Sequence, residues 1–96
     1  MTYELEFHES ALKEWSALDK SIRVRLQGKL RKRLEHPRVP ASELRGDLAG
    51  CYKLKDAVSG YRLIYEVLDH DVVVIVLSVG KREKLLAYIA ATTRRS

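Results

Sequence analysis

Three strand-like runs are packed into residues 51–79 with gaps too short for anything but turns, and this constrains the fold more than any other feature of the chain. The runs are Cys51-Tyr52-Lys53-Leu54-Lys55, residues 61–68 and residues 72–79; the gaps are Asp56-Ala57-Val58-Ser59-Gly60 and Asp69-His70-Asp71. Gaps of hairpin length between β-rich runs predict an antiparallel meander. Residues 72–77 are apolar without interruption, the pattern of a central strand covered on both faces.

Upstream, Tyr3, Leu5 and Phe7 alternate with Thr2, Glu4 and Glu6, which predicts a half-buried first strand. Ala11, Leu12, Trp15 and Leu18 then follow helical spacing, and Asp19 stands where a second helix needs its cap. Ile22, Leu26, Leu30 and Leu34 recur every four residues until Pro37 stops the helix. After an irregular stretch marked by Pro40, Gly46 and Gly50 comes the meander. Gly80 ends it, and Leu85, Leu86 and Ile89 suggest a short last helix over residues 81–91. The expected fold is therefore α+β: a strand, a two-helix hairpin, a three-stranded antiparallel meander and a C-terminal helix, with the helices on one face of a four-stranded sheet.

At 96 residues this is one domain, residues 1–96, with room for a single core and only a shallow site. No apolar run reaches the roughly 20 residues that span a bilayer, and the N-terminus lacks the basic start and apolar run of a signal peptide. A cytoplasmic location with no membrane partner is expected, and the lone Cys51 agrees with a reducing compartment. The net charge is +5, unevenly spread. Residues 20–34 hold seven cations (Lys20, Arg23, Arg25, Lys29, Arg31, Lys32 and Arg33) and no acid, which favours a polyanionic partner such as nucleic acid. A merely solvated helix face would carry the same charge.

Within the meander, cations interrupt strands. If Leu54, Leu63, Tyr65 and Val67 face the core, alternation places Lys53, Lys55 and Arg62 together on the opposite face. Arg82 follows the last strand, and Tyr88 lies six residues beyond it, on a helix that could fold back over the cluster. Such a set suits a phosphodiester. Arginine forks and lysine charges stabilise the anionic transition state, and RNA brings its own 2′-hydroxyl nucleophile, so a base, an acid and geometry suffice. A phenol can serve as base only beside cations that favour the phenolate. Each residue also has a plainer role available: Lys53 and Lys55 as guards of an edge strand, Arg62 as partner to Glu66, and Tyr88 as core cover. His8, His36 and His70 are scattered and no Cys/His ligand pattern occurs, so neither a metal nor another cofactor is expected. Cys51 and Trp15 read as packing residues.

Five stretches in order, Tyr-x-Leu-x-Phe-x-x-x-Ala-Leu-Lys-Glu-Trp from Tyr3 to Trp15, Leu44-Arg45-Gly46, Cys51-Tyr52-Lys53-x-Lys55, Gly60-Tyr61-Arg62-Leu63-x-Tyr65 and Ser78-Val79-Gly80-Lys81-Arg82-Glu83, resemble the RelE toxins of bacterial toxin–antitoxin pairs. The resemblance spans nearly the whole chain and implies a ribosome-dependent messenger RNA endonuclease that arrests translation and is neutralised by a RelB-like antitoxin. It implies that Lys53 and Lys55 serve the reacting group, that Arg62 holds the phosphate, that Arg82 stabilises the leaving group, and that Tyr88 acts as base and stacks near the cleaved nucleotide. Arg45 and Lys81 would contact RNA, with Arg23, Lys29, Arg31, Lys32 and Arg33 facing ribosomal RNA of the 70S particle. Relatives that lack the cationic set inhibit DNA gyrase instead, which is the alternative reading. The loop over residues 46–50 is one residue longer than usual, and the tail over residues 92–96 is poorer in apolar residues. With only Ala87, Ala90 and Ala91 to dock it, the last helix is expected to be the element that moves when antitoxin binds.

Overall fold

The computed structural model describes residues 2–81, 83 and 86–95. Its elements are β1 (Glu4–Phe7), α1 (Glu9–Ser16), α2 (Lys20–Arg33), β2 (Cys51–Lys55), β3 (Tyr61–Leu68), β4 (Val73–Lys81) and α3 (Leu86–Arg94), with 3-10 turns at Pro40–Ser42 and Gly46–Leu48. The sheet order is β1-β4-β3-β2, with β1 parallel to β4 and the meander antiparallel. The α+β architecture and the order of elements are as the sequence predicts, and the uninterrupted apolar run lies in the sheet interior as β4. Two boundaries shift. Val72 has φ 56°, a left-handed conformation costly for a β-branched residue, so the strand starts after it. Lys81, expected to open the last helix, instead ends β4 opposite Tyr61.

Strand alternation sorts the side chains as expected. Leu54, Leu63, Tyr65, Val67, Val74, Val76 and Val79 pack with Ala11, Leu18, Ile22, Leu26 and Leu30 from α1, α2 and the turn between them. On the other face Cys51, Ile64 and Leu77 pack with Leu48 and with Ala87 and Ala91 of α3. The last helix therefore covers part of the face expected to stay open. Its alanines dock it as expected: Ala87 and Ala91 face the sheet, while Leu86 and Ile89 point outward, 59% and 61% exposed. The reason is close approach. A Cβ on Gly80 would lie 3.5 Å from the Ala87 Cβ, and the Ser78 hydroxyl donates to the Ala87 carbonyl at 2.6 Å, so nothing longer than a methyl group fits between helix and strand here.

A register shift makes this packing possible. Tyr65 pairs with Val76 but Ile64 pairs with Ser78, so β4 carries one extra residue at Leu77. The bulge resets the alternation: Val79 returns to the α1/α2 core, and Gly80, opposite Arg62, lies under α3. Strict alternation would have turned Val79 toward α3 instead.

The cations of α2 are partly consumed in holding it to the sheet edge. Arg25 forks onto Asp56 at 2.9 and 3.0 Å, Lys29 donates to the Lys55 carbonyl at 2.6 Å, and Arg33 reaches the Lys53 carbonyl at 3.2 Å and the Tyr65 hydroxyl at 2.9 Å. Asp56 is buried in the β2–β3 turn, where it also accepts from the Ser59 amide and hydroxyl. The Arg25 guanidinium, followed by the Ser59 bonds, holds the Asp56 carboxyl well below the usual carboxylate range against the opposing effect of burial. A depressed folded-state value stabilises the fold above the unfolded aspartate value of ~4, and that contribution is lost as pH falls through the folded value. Asp56→Ala should therefore cost about 2 kcal/mol at pH 7, because charge-assisted bonds are lost. The gap between variant and parent in urea unfolding should narrow below about pH 4; a gap independent of pH would contradict this role.

Candidate nucleic-acid and catalytic site

Three of the expected residues meet on the α3 side of the sheet. Arg62 and Lys55 are direct cross-strand partners, and Lys53 lies two residues back on the same face of β2. Tyr88 completes the group from above. Arg62 Nη1 donates to the Tyr88 hydroxyl oxygen at 2.8 Å, and the guanidinium carbon lies 5.9 Å from the ring centroid. The phenol oxygen is thus aimed by the guanidinium. Arg62 Nε is buried with no hydrogen-bond partner among the described residues. A buried donor without an acceptor is costly, so an anionic oxygen presented there would gain a strong charge-assisted bond. Lys53 is half-buried and Lys55 exposed, an arrangement of one partly shielded and one solvent-facing charge beside the Arg62 fork.

The remaining expected residues separate. Arg82 lies outside the described residues. Lys81 sits across from Tyr61, with its ammonium 5.9 Å from that ring, and alternation puts this pair on the α1/α2 side, away from Arg62. Arg45 is exposed at the start of the turn whose Leu48 packs under α3, hence on the site's side. Within α2, Arg31 and Lys32 are exposed, whereas Arg23 donates to the Leu18 carbonyl at 2.9 Å and Lys29 and Arg33 are spent on β2. The basic helix and the Arg62 cluster occupy opposite faces of the sheet, so they would meet different stretches of any polyanion.

The sequence reading also passed over residues that hold the site together. Glu14, Arg94 and Arg95 anchor the end of α3, and Gly80 and Ser78 seat its beginning. The only advance signal was a glycine and a serine in an otherwise bulky strand. Among the described residues no group of three or more His, Cys, Asp or Glu side chains gathers as a metal site would require, and no helix is long and apolar enough to cross a membrane.

The sequence model for the ParE toxin of the type II toxin–antitoxin system parDE matches residues 5–86. The mRNA interferase toxin RelE of Escherichia coli strain K12 is 51% identical over 94 residues, covering 98% of each chain. This chain belongs to the RelE toxins of the RelE/ParE superfamily. A double arginine-to-alanine variant of E. coli RelE, solved in the free state, superposes with a TM-score of 0.92 at 49% identity over 100% of both chains. The RelE chain in the intact E. coli RelBE toxin–antitoxin complex gives 0.81 at 52% identity, covering 85% of this chain and 99% of that one. The toxin fold thus brings its cations to a junction of sheet and last helix.

Cys51 lies beneath that helix, fully buried against Ala87 and Ala91, and burial pushes its thiol up to about 11. At pH 8 it should be almost entirely protonated and should react with a disulfide reagent at least ~100-fold more slowly than a free thiol of normal pKa. Rapid labelling of the native toxin would contradict this packing.

Proposed function

We propose that this chain is the toxin of a type II toxin–antitoxin pair and that it cuts messenger RNA on the ribosome, in the cytoplasm, stopping translation. The observation that carries this reading is the Arg62–Tyr88 contact: a guanidinium with a free buried donor, bonded to a phenol and flanked by Lys55 and Lys53. It is supported by the near full-length likeness to proteins named mRNA interferases.

In the proposed reaction the substrate's 2′-oxygen attacks the adjacent phosphorus, the bond to the 5′-oxygen breaks, and a 2′,3′-cyclic phosphate and a 5′-hydroxyl result. Arg62 holds the phosphate's non-bridging oxygens through its fork, and the Lys53 and Lys55 charges offset the extra negative charge of the transition state. Tyr88 acts from its phenolate form, taking the 2′-proton and so becoming the neutral phenol, and lays its ring against the neighbouring base. Arg82 stabilises the departing 5′-oxygen and supplies its proton. The site is shallow, so the ribosome must provide the alignment that a deeper cleft would give. Arg45 contacts the same RNA, while the exposed Arg31 and Lys32 on the opposite face contact ribosomal RNA. Arg23, Lys29 and Arg33 serve the fold first.

A RelB-like antitoxin is the proposed partner, as in the E. coli RelBE complex. With few apolar contacts, α3 is the element most easily displaced on binding. The match to the ParE family model favours a second reading, a gyrase inhibitor that acts without cutting RNA. Mapping transcript ends after in vitro translation with the purified protein separates the two. Breaks confined to translated codons are expected, and Arg62→Ala should slow them by about 10²–10³-fold, the cost of losing one transition-state donor. Intact transcripts with arrested gyrase would overturn the nuclease reading.

A further inference from the structure

The methyl groups of Ala87 and Ala91 are the fully buried side chains of α3, with Tyr88 partly covered beside them, so its position depends heavily on polar contacts. One of these occupies an unusual place. β1 pairs with residues 73–76 only, yet β4 runs on to Lys81, so the edge of β4 beyond Val76 has no strand beside it. Side chains take that place. Glu14 of α1 accepts the Val79 amide through Oε1 at 3.0 Å, and Arg94 of α3 donates through Nη1 to the Leu77 carbonyl at 3.0 Å. The two are joined to each other by a fork, Nη1 to Oε1 at 2.8 Å and Nη2 to Oε2 at 3.1 Å. Donor and acceptor together fill the hydrogen-bonding positions of a missing strand. Arg95 adds a second tie on the other side, to Glu66 at 3.2 Å and the Asp47 carbonyl at 2.8 Å.

We propose that Glu14 and Arg94 form a latch that positions Tyr88 against Arg62, which makes them positioning residues for the cleavage reaction; the inference rests on the nuclease reading above. The geometry favours this over simple stabilisation. Arg94 lies six residues, about 9 Å, along α3 from Tyr88, and a helix transmits a fixed end rigidly over that distance. The latch also joins α1, on one face of the sheet, to α3, on the other. Without it α3 keeps the Ser78 hydroxyl and the Arg95 ties but loses its hold on the Leu77 carbonyl and on α1, and the phenol loses a defined place over the guanidinium. Near-attack geometry is sensitive to such shifts.

Cys51, buried under Ala87 and Ala91, reports directly on lifting of α3, and its labelling should be measured on the full chain with a disulfide reagent. Glu14→Gln removes the charge but keeps an oxygen for the Val79 amide; Arg94→Ala removes the fork. Each should speed labelling about tenfold, as loss of a charge-assisted bond implies. The urea slope of that rate should be shallow, because lifting one helix exposes far less surface than unfolding. In ribosome-dependent cleavage both variants should lose about tenfold in kcat with KM little changed, the split expected when transition-state geometry alone suffers. Unchanged labelling, or acceleration only with the slope of global unfolding, would overturn the latch. An unchanged kcat would overturn the positioning role, and a raised kcat would make the latch a brake. If the parent protein makes no breaks in translated messenger, the nuclease reading and the positioning role fall together, and the labelling rates still decide whether the latch exists.

Discussion

Alternation across the β2–β3 pair, reset by one extra residue in β4, is the constraint on which the rest of this molecule depends. It sends Leu54, Leu63, Tyr65 and Val67 to one face and Lys53, Lys55 and Arg62 to the other. The bulge at Leu77 then returns Val79 to the core and presents Gly80 beside Arg62, where α3 can approach closely. Core and site are two sides of one register. A slip by a single residue would bury the cations and expose the core.

α3 is held differently from α1 and α2. α2 buries Ile22, Leu26 and Leu30 and α1 packs Ala11 and part of Trp15 against the same core, whereas α3 buries alanines and turns Leu86 and Ile89 outward. Its position is set by bonds to Arg62, Ser78, Glu14 and Glu66, each directional and each replaceable by a competitor of similar chemistry. A helix placed this way can hold the Tyr88 phenol with accuracy and still be displaced at modest cost, two properties that suit a toxin under antitoxin control.

Much of this was legible in the sequence because it follows from short periods and turn lengths. The meander, the two-helix hairpin and the face shared by Lys53, Lys55 and Arg62 needed only alternation and spacing. The bulge was hidden, since an unbroken apolar run gives no parity to read. The docking of α3 through its alanines was legible too, but the reason was not: the small residues on β4 admit only methyl groups and leave Leu86 and Ile89 outside. Charge counting along α2 could not show that Arg25, Lys29 and Arg33 bond to Asp56 and to the β2 carbonyls rather than to a partner. Glu14 and Arg94, 80 residues apart in sequence, could be joined only by the fold.

The central claim is that Arg62 on the sheet and Tyr88 on the last helix act as a unit. A double-mutant cycle in single-turnover cleavage of ribosome-bound messenger tests it most directly, with Arg62→Ala, Tyr88→Phe and the two combined. If the pair works together, the double variant should be little worse than the poorer single variant, a coupling of at least about 1 kcal/mol. Losses that simply add would contradict the account, because they would mean that the guanidinium and the phenol contribute independently.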